Sequence, residues 1–206
     1  MNMKIALNVL TLNEEPRIKE CLEYHKPFVD YIFVLDGGST DRTVEIAQEI
    51  ADRVVIRLPH GDYADDRNYA FNQTPPEYEW VLAVDADERF HIRFLQLMRD
   101  IIDSTLKAHP EAVAFRFPRA NLPRANDFPD YQTRLLKNDG SLEWENKVHA
   151  VPRLKGDTVA VQSRYGRCFT VLDCPIWHLP RRGDIERDWW NTEQFKEVFK
   201  DKNPVE

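Results

Sequence analysis

Two aspartates, Asp85 and Asp87, stand one residue apart directly after the apolar segment Trp80–Val84. Side chains two positions apart on a strand point to the same side of the sheet. The two carboxylates could therefore bind one divalent cation together with the phosphates that it carries. The spacing alone is not specific in so acidic a chain. Its meaning depends on the elements that position it.

Segments of strand and helix character alternate through the first half of the chain. This alternation predicts an α/β fold with a mostly parallel central sheet flanked by helices. A smaller, mixed second half follows, where the alternation fades. The predicted strands are Lys4–Leu10, Tyr31–Leu35, Arg53–Leu58 and Trp80–Val84, and the predicted helices are Glu14–Tyr24, Thr40 or Asp41 to Ala51, and Ala64–Asn72.

Three polar clusters follow predicted strands: Thr11–Glu15, Asp36–Asp41 and Asp85–Glu88. Ligands of open α/β sheets bind beyond the carboxyl ends of the strands. The three clusters are therefore expected to line a single pocket.

The second half begins with a long predicted helix, Phe90–Ala108. Strands are expected near 112–117, 132–136 and 141–145. A last helix is expected over Asp184–Lys200. Its neighbouring residues Trp189 and Trp190 cannot both face one core. We expect a single domain over 1–206, with a nucleotide-sugar half at 1–90 and an acceptor-side half at 91–206. The residues expected on the buried face of the long helix are Phe94, Leu97, Met98, Ile101 and Ile102.

The overall composition limits the classes of partner. A formal net charge of -7 argues against general nucleic-acid binding, which needs a basic face. Three cysteines without a close metal-type pair favour a reducing compartment. No apolar run approaches the roughly 18 to 20 residues that span a bilayer. We expect a cytoplasmic protein with at most peripheral attachment at the inner face of the membrane.

Four motifs of the first half, in this order, resemble the family 2 glycosyltransferases with a GT-A fold. They are Leu10–Glu15, Val34–Asp41 (close to V-D-D-G-S-T-D), Asp66–Ala70 (an A-R-N-like helix) and Asp85–Glu88. Small glucosyltransferases of the lipopolysaccharide-core type look most similar. The resemblance implies metal-dependent, inverting transfer of a sugar from a UDP-sugar. Glucose is the first candidate for that sugar. The acceptor would be a glycan, a lipid-linked sugar or a protein.

Looser matches continue in the second half. Arg134–Leu136 and Trp144–His149 resemble a region that ends in V-H-E, and Trp177–His178 resembles a late His motif. One departure stands out, because Ala150 occupies the position of the Glu.

The resemblance assigns the nucleotide contacts. Asp36 would accept the base N–H, Arg67 would reach the nucleotide or its phosphates, and Leu10, Leu12 and Glu14 would line the nucleoside pocket. Other interpretations stay open. Asp36 could instead hold an Asx turn, Arg67 could be a solvated helix residue, and Glu14 could be a helix-start carboxylate.

The resemblance also assigns the metal contacts. Asp87 directly, and Asp85 partly through the ribose, would hold Mn²⁺ or Mg²⁺ against the diphosphate, with His178 as a further ligand. Arg181, next to Arg182, would close over the diphosphate. The alternatives are aspartates that cap the following helix, a packing histidine and a solvated basic turn. Glu88 would lie behind the metal site or on the surface.

An inverting enzyme needs a base to deprotonate the acceptor hydroxyl. Because Ala150 replaces the Glu, the remaining candidates are Glu145, His149 and, farther away, Asp130. Glu145 is the first choice, since a partly buried Glu beside Trp144 could have a raised pKa.

Two other classes of protein share part of the pattern. A haloacid-dehalogenase-type phosphatase also has Asp-x-Asp after a strand, and Gly183–Asp188 fits its late motif, but Arg89 stands where Thr or Val is usual. A non-catalytic nucleotide-sugar-binding protein would fit the loss of the Glu at Ala150. A nucleotidyltransferase would need a Gly-rich phosphate loop that the opening segment lacks.

Overall fold

The computed structural model describes residues 3–58, 61–121 and 130–179. Within these ranges four α-helices flank a nine-stranded sheet, and a separate two-stranded hairpin lies in the second half. The helices are α1 (Glu15–His25), α2 (Thr43–Ile50), α3 (Tyr63–Gln73) and α4 (Ile92–Ala108). The strands are β1 (Ile5–Thr11), β2 (Tyr31–Asp36), β3 (Arg53–Ile56), β4 (Trp80–Asp85), β5 (Glu88–Phe90), β6 (Ala114–Asn121), β7 (Asp130–Lys137), β8 (Leu142–Glu145), β9 (Val151–Leu154), β10 (Cys168–Thr170) and β11 (Ile176–His178).

The large sheet has the order β3-β2-β1-β4-β7-β6-β11-β5, with β10 paired to β6. Strands β3, β2, β1 and β4 are all parallel, as expected for strands joined through helices. Strand β7 then enters antiparallel between β4 and β6. The prediction of an α/β fold with a mostly parallel central sheet is confirmed, and each antiparallel pair includes a strand of the second half.

The apolar residues of the parallel strands point alternately to the two faces of the sheet. On one face, Leu7, Val34 and Leu82 join a buried cluster with residues of α1, α2 and α4. On the other face, Ala6 and Val81 pack with α3 and with the β8–β9 hairpin. The inner parallel strands β1, β2 and β4 are therefore buried on both sides, whereas the edge strand β3 is partly exposed.

The segment after the two aspartates differs from the prediction. A short strand, β5, precedes the helix, which begins at Ile92 instead of Phe90. On this helix Leu97 is 41% exposed, whereas Leu95 is 2% exposed. The expected core position of Leu97 was wrong, because the buried face is centred on Phe94, Leu95, Met98 and Ile102, and Leu97 lies at its outer edge.

The sequence did not indicate β9, β10 or β11, which are only three or four residues long. The predicted helix at 184–200, with Trp189 and Trp190, lies outside the described residues. Within the described part of the chain, no helix combines the length and apolar character needed to cross a membrane.

Candidate functional site

The carboxyl ends of β1, β2 and β4 meet at one edge of the sheet. Leu10 pairs in register with Leu35 on one side and with Asp85 on the other, so the polar clusters after these strands are neighbours. A cavity of about 790 Å³ opens at this edge. Eight of the predicted site residues line it: Leu10, Leu12, Glu14, Arg67, Asp85, Asp87, His149 and His178. All three clusters reach this cavity, although Asp36–Asp41 does so only through Gly37.

Asp36 is fully buried and does not line the cavity, although its neighbours Leu35 and Gly37 do. Its Oδ1 atom accepts from the backbone N–H groups of Gly38 (2.8 Å) and Ser39 (2.7 Å). Its Oδ2 atom accepts from the Ser39 hydroxyl at 2.5 Å. The Asx-turn interpretation therefore describes this carboxylate in the present structure, where it shapes the loop after β2.

Glu14 lies at the rim of the same pocket and is 8% exposed. Its carboxylate accepts from Arg17, with Nε 2.6 Å from Oε2 and Nη2 2.8 Å from Oε1. The Glu14 N–H donates to the Thr43 hydroxyl at 2.8 Å, which ties the loop after β1 to the start of α2.

Asp85 lies between two arginines at the base of the cavity. Arg67 Nη2 is 2.8 Å from Oδ1 and 3.1 Å from Oδ2, and Arg134 Nη2 is 2.8 Å from Oδ2. Burial opposes ionisation of this carboxyl, but the two guanidinium groups outweigh it and lower the pKa of Asp85 to about 2. The Arg67 guanidinium also lies 5.1 Å from the ring centroid of Trp144. Arg67 is thus a buried cation and not a solvated helix residue.

Glu88 is completely buried behind Asp85. Arg134 donates to Oε1 at 2.7 Å, and the Asp85 N–H donates to Oε2 at 3.1 Å. Burial raises the pKa of Glu88, and Arg134 opposes that effect. Glu88 therefore supports the loop that carries the aspartates, which excludes a surface position. A role for Arg134 was missed, although an arginine beside Leu135 and Leu136 in a strand needs a buried partner.

Asp87 faces the cavity from the turn between β4 and β5. Its Oδ2 atom is 3.3 Å from His178 Nε2, and its carbonyl accepts from the Leu179 N–H at 2.8 Å. Strand β11 brings His178 there by pairing with β5. The hydrogen bond to Asp87 raises the pKa of His178. Neither aspartate caps α4, because His91 holds the cap position and accepts from the Arg93 N–H.

The protein side chains alone do not form a complete metal site. In the described ranges, no group of three or more His, Cys, Asp or Glu side chains is arranged to hold an ion. Asp87 and His178 are two donors of the kinds that Mn²⁺ accepts, whereas both oxygens of Asp85 accept from arginines. These residues fit a cation whose remaining ligands are phosphate oxygens and water, which is common for Mg²⁺ in phosphate-binding sites.

The acceptor-side residues divide into two groups. His149, Ala150 and Asp130 line the cavity, whereas Glu145 does not. Glu145 lies on β8 with 39% of its side chain exposed, and Arg153 Nη1 is 2.6 Å from its Oε2. The structure therefore does not bring Glu145 to the pocket. Arg181 and Arg182 lie outside the described residues.

Charges of both signs line the cavity, and among the described residues carboxylates outnumber guanidinium groups. The lining includes six carboxylates, Glu14, Asp62, Asp66, Asp85, Asp87 and Asp130, and four arginines, Arg57, Arg67, Arg119 and Arg134.

Comparison with known proteins identifies the family. The profile of Glycosyl transferase family 2 matches residues 8–161, so the chain belongs to this family. The parallel α/β sheet and this membership together agree with the predicted GT-A fold. Membership also removes the reason to consider a phosphatase. It does not test the similarity to lipopolysaccharide-core enzymes, which stays a prediction.

Individual relatives cover parts of the chain. A TPR repeat-containing protein of Synechococcus elongatus is 30% identical over 148 residues, which are 71% of this chain and 34% of that protein. An uncharacterized glycosyltransferase of Rickettsia bellii is 34% identical over 88 residues, or 43% of this chain and 29% of that one. The chain thus spans about a third or less of these relatives.

Among solved structures, glucosyl-3-phosphoglycerate synthase of Mycobacterium tuberculosis, in complex with Mn²⁺, UDP and glucosyl-3-phosphoglycerate, is similar with a TM-score of 0.44. The identity is 23%, over 55% of this chain and 43% of that chain.

Proposed function

We propose that the protein is a metal-dependent, inverting glycosyltransferase. It would take a UDP-sugar, with UDP-glucose the first to test, and transfer the sugar to an acceptor hydroxyl in glycan assembly. One observation carries the proposal: family 2 motifs from β1, β4, α3 and the second half converge on a single cavity with Asp87 and His178 at its wall. Family membership over residues 8–161 supports the same class of reaction.

In this proposal the nucleoside lies at the ends of β1 and β2. Leu10, Leu12 and Gly37 offer apolar and backbone surface there. Asp36 would contact the base only after giving up part of its Asx turn, so its first contribution is to hold the loop in shape. Arg67, already paired with Asp85, would lie near the ribose or phosphates.

The charge of the lining supports dependence on a divalent cation. A diphosphate would enter a cavity where carboxylates outnumber arginines and where Arg67 and Arg134 already bind Asp85. Without added positive charge its binding would be repulsive. Asp87 and His178 would hold Mn²⁺ or Mg²⁺, and the bound ion would neutralise charge that develops on the leaving nucleoside diphosphate.

The acceptor would approach from the side of β7, where Asp130, Gln132 and Thr133 line the cavity. A glycan, a lipid-linked sugar or a protein hydroxyl are the acceptor classes proposed. The compartment proposed is the cytoplasm, including the inner face of the membrane.

The test is thermal unfolding with a panel of nucleotide sugars, with and without Mn²⁺, together with assay of UDP release. We expect a UDP-sugar to raise the Tm only when Mn²⁺ is present, and to be turned over. Asp87→Ala should abolish the Mn²⁺-dependent rise, because it removes one of two metal-binding side chains.

Asp139→Ala is the matched control, since Asp139 is a partly exposed aspartate that does not line the cavity. If no nucleotide sugar stabilises the protein, or if Asp87→Ala responds as the wild type does, the proposal is wrong. Stabilisation without any turnover would favour a non-catalytic nucleotide-sugar-binding protein, for which the Ala150 departure is the structural reason.

A further inference from the structure

We propose that Asp130 is the catalytic base of this protein, in place of the carboxylate that the family resemblance expects at Ala150. The assignment rests on the proposed transfer reaction and names the residue that receives the acceptor proton. Both positions line the same cavity, so a carboxylate at 130 can serve the space that a Glu at 150 would have served.

The register of the sheet places Asp130 outside the donor end of the pocket. Strands β4 and β7 are antiparallel, with Leu82 opposite Leu135. Because β7 runs antiparallel to β4, its residues before Leu135, back to Asp130 at its start, continue toward the carboxyl end of β4. Asp130 thus lies above the edge where the diphosphate is proposed to bind, on the side away from β2 and the nucleoside pocket.

The other lining carboxylates of the described chain make contacts unlike those of Asp130 and come from another part of the sequence. All five come from the first half: Glu14 pairs with Arg17, Asp66 with Arg57, Asp85 with Arg67 and Arg134, Asp62 caps α3, and Asp87 contacts His178. Of the second-half residues that the structure describes, Asp130 is the carboxylate that lines the cavity. Its side chain is 38% exposed, so an incoming hydroxyl can reach it.

Two neighbours hold the Asp130 carboxylate in a fixed orientation. Arg119, its cross-strand partner on β6, donates to Oδ2, and Gln132 Nε2 donates to Oδ1 at 3.0 Å. Each oxygen keeps a lone pair, because a carboxylate oxygen can accept two hydrogen bonds. Arg119 also lies 3.9 Å from Glu88, so it is shared between the two carboxylates. Arg119 is therefore a positioning residue for the base.

The step balances without any further reagent. The acceptor hydroxyl gives its proton to the Asp130 carboxylate while its oxygen forms a bond to the anomeric carbon. The bond from that carbon to the phosphate oxygen breaks, and its electron pair stays on the nucleoside diphosphate. Asp130 then returns the proton to water.

The experiment measures UDP release from the UDP-sugar that stabilises the wild type, in Mn²⁺, with water as the acceptor hydroxyl. Asp130→Asn should lower kcat by about 100-fold or more, the range expected for loss of a general base. The donor-induced rise in Tm should be unchanged, because Asp130 does not hold the nucleotide. Asp139→Asn, with the same 38% side-chain exposure, should keep full kcat.

Rescue separates a base from a structural residue. Adding Ala150→Glu to Asp130→Asn should recover at least 10-fold of the lost kcat, and formate should accelerate Asp130→Ala. Full kcat in Asp130→Asn, or failure of both rescues, overturns the assignment.

Loss of kcat in His149→Asn but not in Asp130→Asn would make His149 the base instead. A wild type that releases no UDP refutes the proposed function itself, whereas failure of the Asp130 assignment alone leaves wild-type turnover intact.

Discussion

His25 lies at the end of α1 with no exposed surface. Its Nδ1 is 2.8 Å from the carbonyl oxygen of Cys21, which can only accept, so Nδ1 carries the proton of the neutral ring. In the described chain Nε2 has no hydrogen-bond partner. Burial, together with the positive charge of Arg89, lowers the pKa of His25 to about 3. The folded protein therefore keeps this ring neutral where an unfolded chain would protonate it.

The consequence is a loss of stability in mild acid. Between the unfolded pKa of 6.5 and the folded pKa of about 3, only the unfolded chain binds the proton, so stability is full above pH 6.5 and falls as the pH drops through that window. From pH 7 to pH 5 this residue should remove roughly 2 kcal/mol of the free energy of unfolding. Urea unfolding at the two pH values measures it.

The His25→Gln variant should lose less stability over the same range, because the titrating group is gone. His109→Gln is the control, since that ring is 37% exposed, and it should keep the wild-type pH dependence. Equal pH dependence in His25→Gln and the wild type would contradict the prediction.

Single residues also show what the sequence could and could not determine about the site. The order of strands was enough to bring Glu14, Asp85 and Asp87 to one cavity, because strand ends at one sheet edge are neighbours. The family motifs added Leu10 and Arg67, which line the same cavity. They were not enough to say what each carboxylate touches. The sequence allowed Asp36 either a base contact or an Asx turn, and the hydrogen bonds to Gly38 and Ser39 show the Asx turn in this structure.

At the scale of elements, strand β7 joins the two halves of the protein. It pairs with β4 on one side and β6 on the other, and it carries Arg134 to Asp85 and Glu88. The guanidinium of Arg134 is thus a contact between β7 and the β4–β5 turn. The side chain of Arg134 is 4% exposed and that of Glu88 is fully buried. Each charge therefore needs its partner to offset the loss of hydration.

Removing one partner should therefore be costly. Arg134→Met leaves the buried Glu88 with only the more distant Arg119, at 3.9 Å, and should lower the free energy of unfolding by about 3 to 5 kcal/mol. Arg134→Met combined with Glu88→Gln removes both charges and should recover much of that loss. Arg42→Met, at a pair in which both side chains are 62% exposed, should change it by less than about 1 kcal/mol.

The measurement is the urea midpoint of unfolding for the wild type, Arg134→Met, the double variant and Arg42→Met. If the single and double variants lose the same stability, the charge pairing of Arg134 with Glu88 is not what holds the β4–β5 turn.

Element prediction succeeded where periodicity was strong and failed where elements were short. The helices α1 to α4 and strands β1 to β4 were expected within a few residues, and apolar patterning is clear in β1, β2, β4 and α4. Strands β5 and β11 have three residues each and depend on pairing with one another, a long-range contact that local sequence does not encode. His178 could be chosen from its motif, but its contact with Asp87 required that pairing.

At the scale of the whole molecule, one hydrophobic cluster spans both halves. Cys21 on α1 and Cys174 before β11 are both buried in it, together with residues of β1, β4 and α4. A shared core implies that the two halves, 1–90 and 91–206, unfold together.

Cysteine labelling tests this in two variants that keep one buried thiol each. Cys168→Ala/Cys174→Ala retains Cys21, and Cys21→Ala/Cys168→Ala retains Cys174. In each variant the thiol should become reactive at the same urea concentration at which tryptophan fluorescence reports unfolding. Labelling of Cys174 well before the fluorescence transition would instead show that the second half opens by itself.

The position of β7 in the sheet also bears on how the chain is synthesised. Strand β4 leaves the ribosome with β1 as its only partner in the large sheet, and its other side is filled only when β7 follows about 50 residues later, several seconds at ordinary rates of translation. Until then β4 is an unprotected edge, and Glu88 lacks Arg134. The nascent first half would therefore expose an unpaired strand edge, and ribosome pausing between β4 and β7 would prolong that exposure.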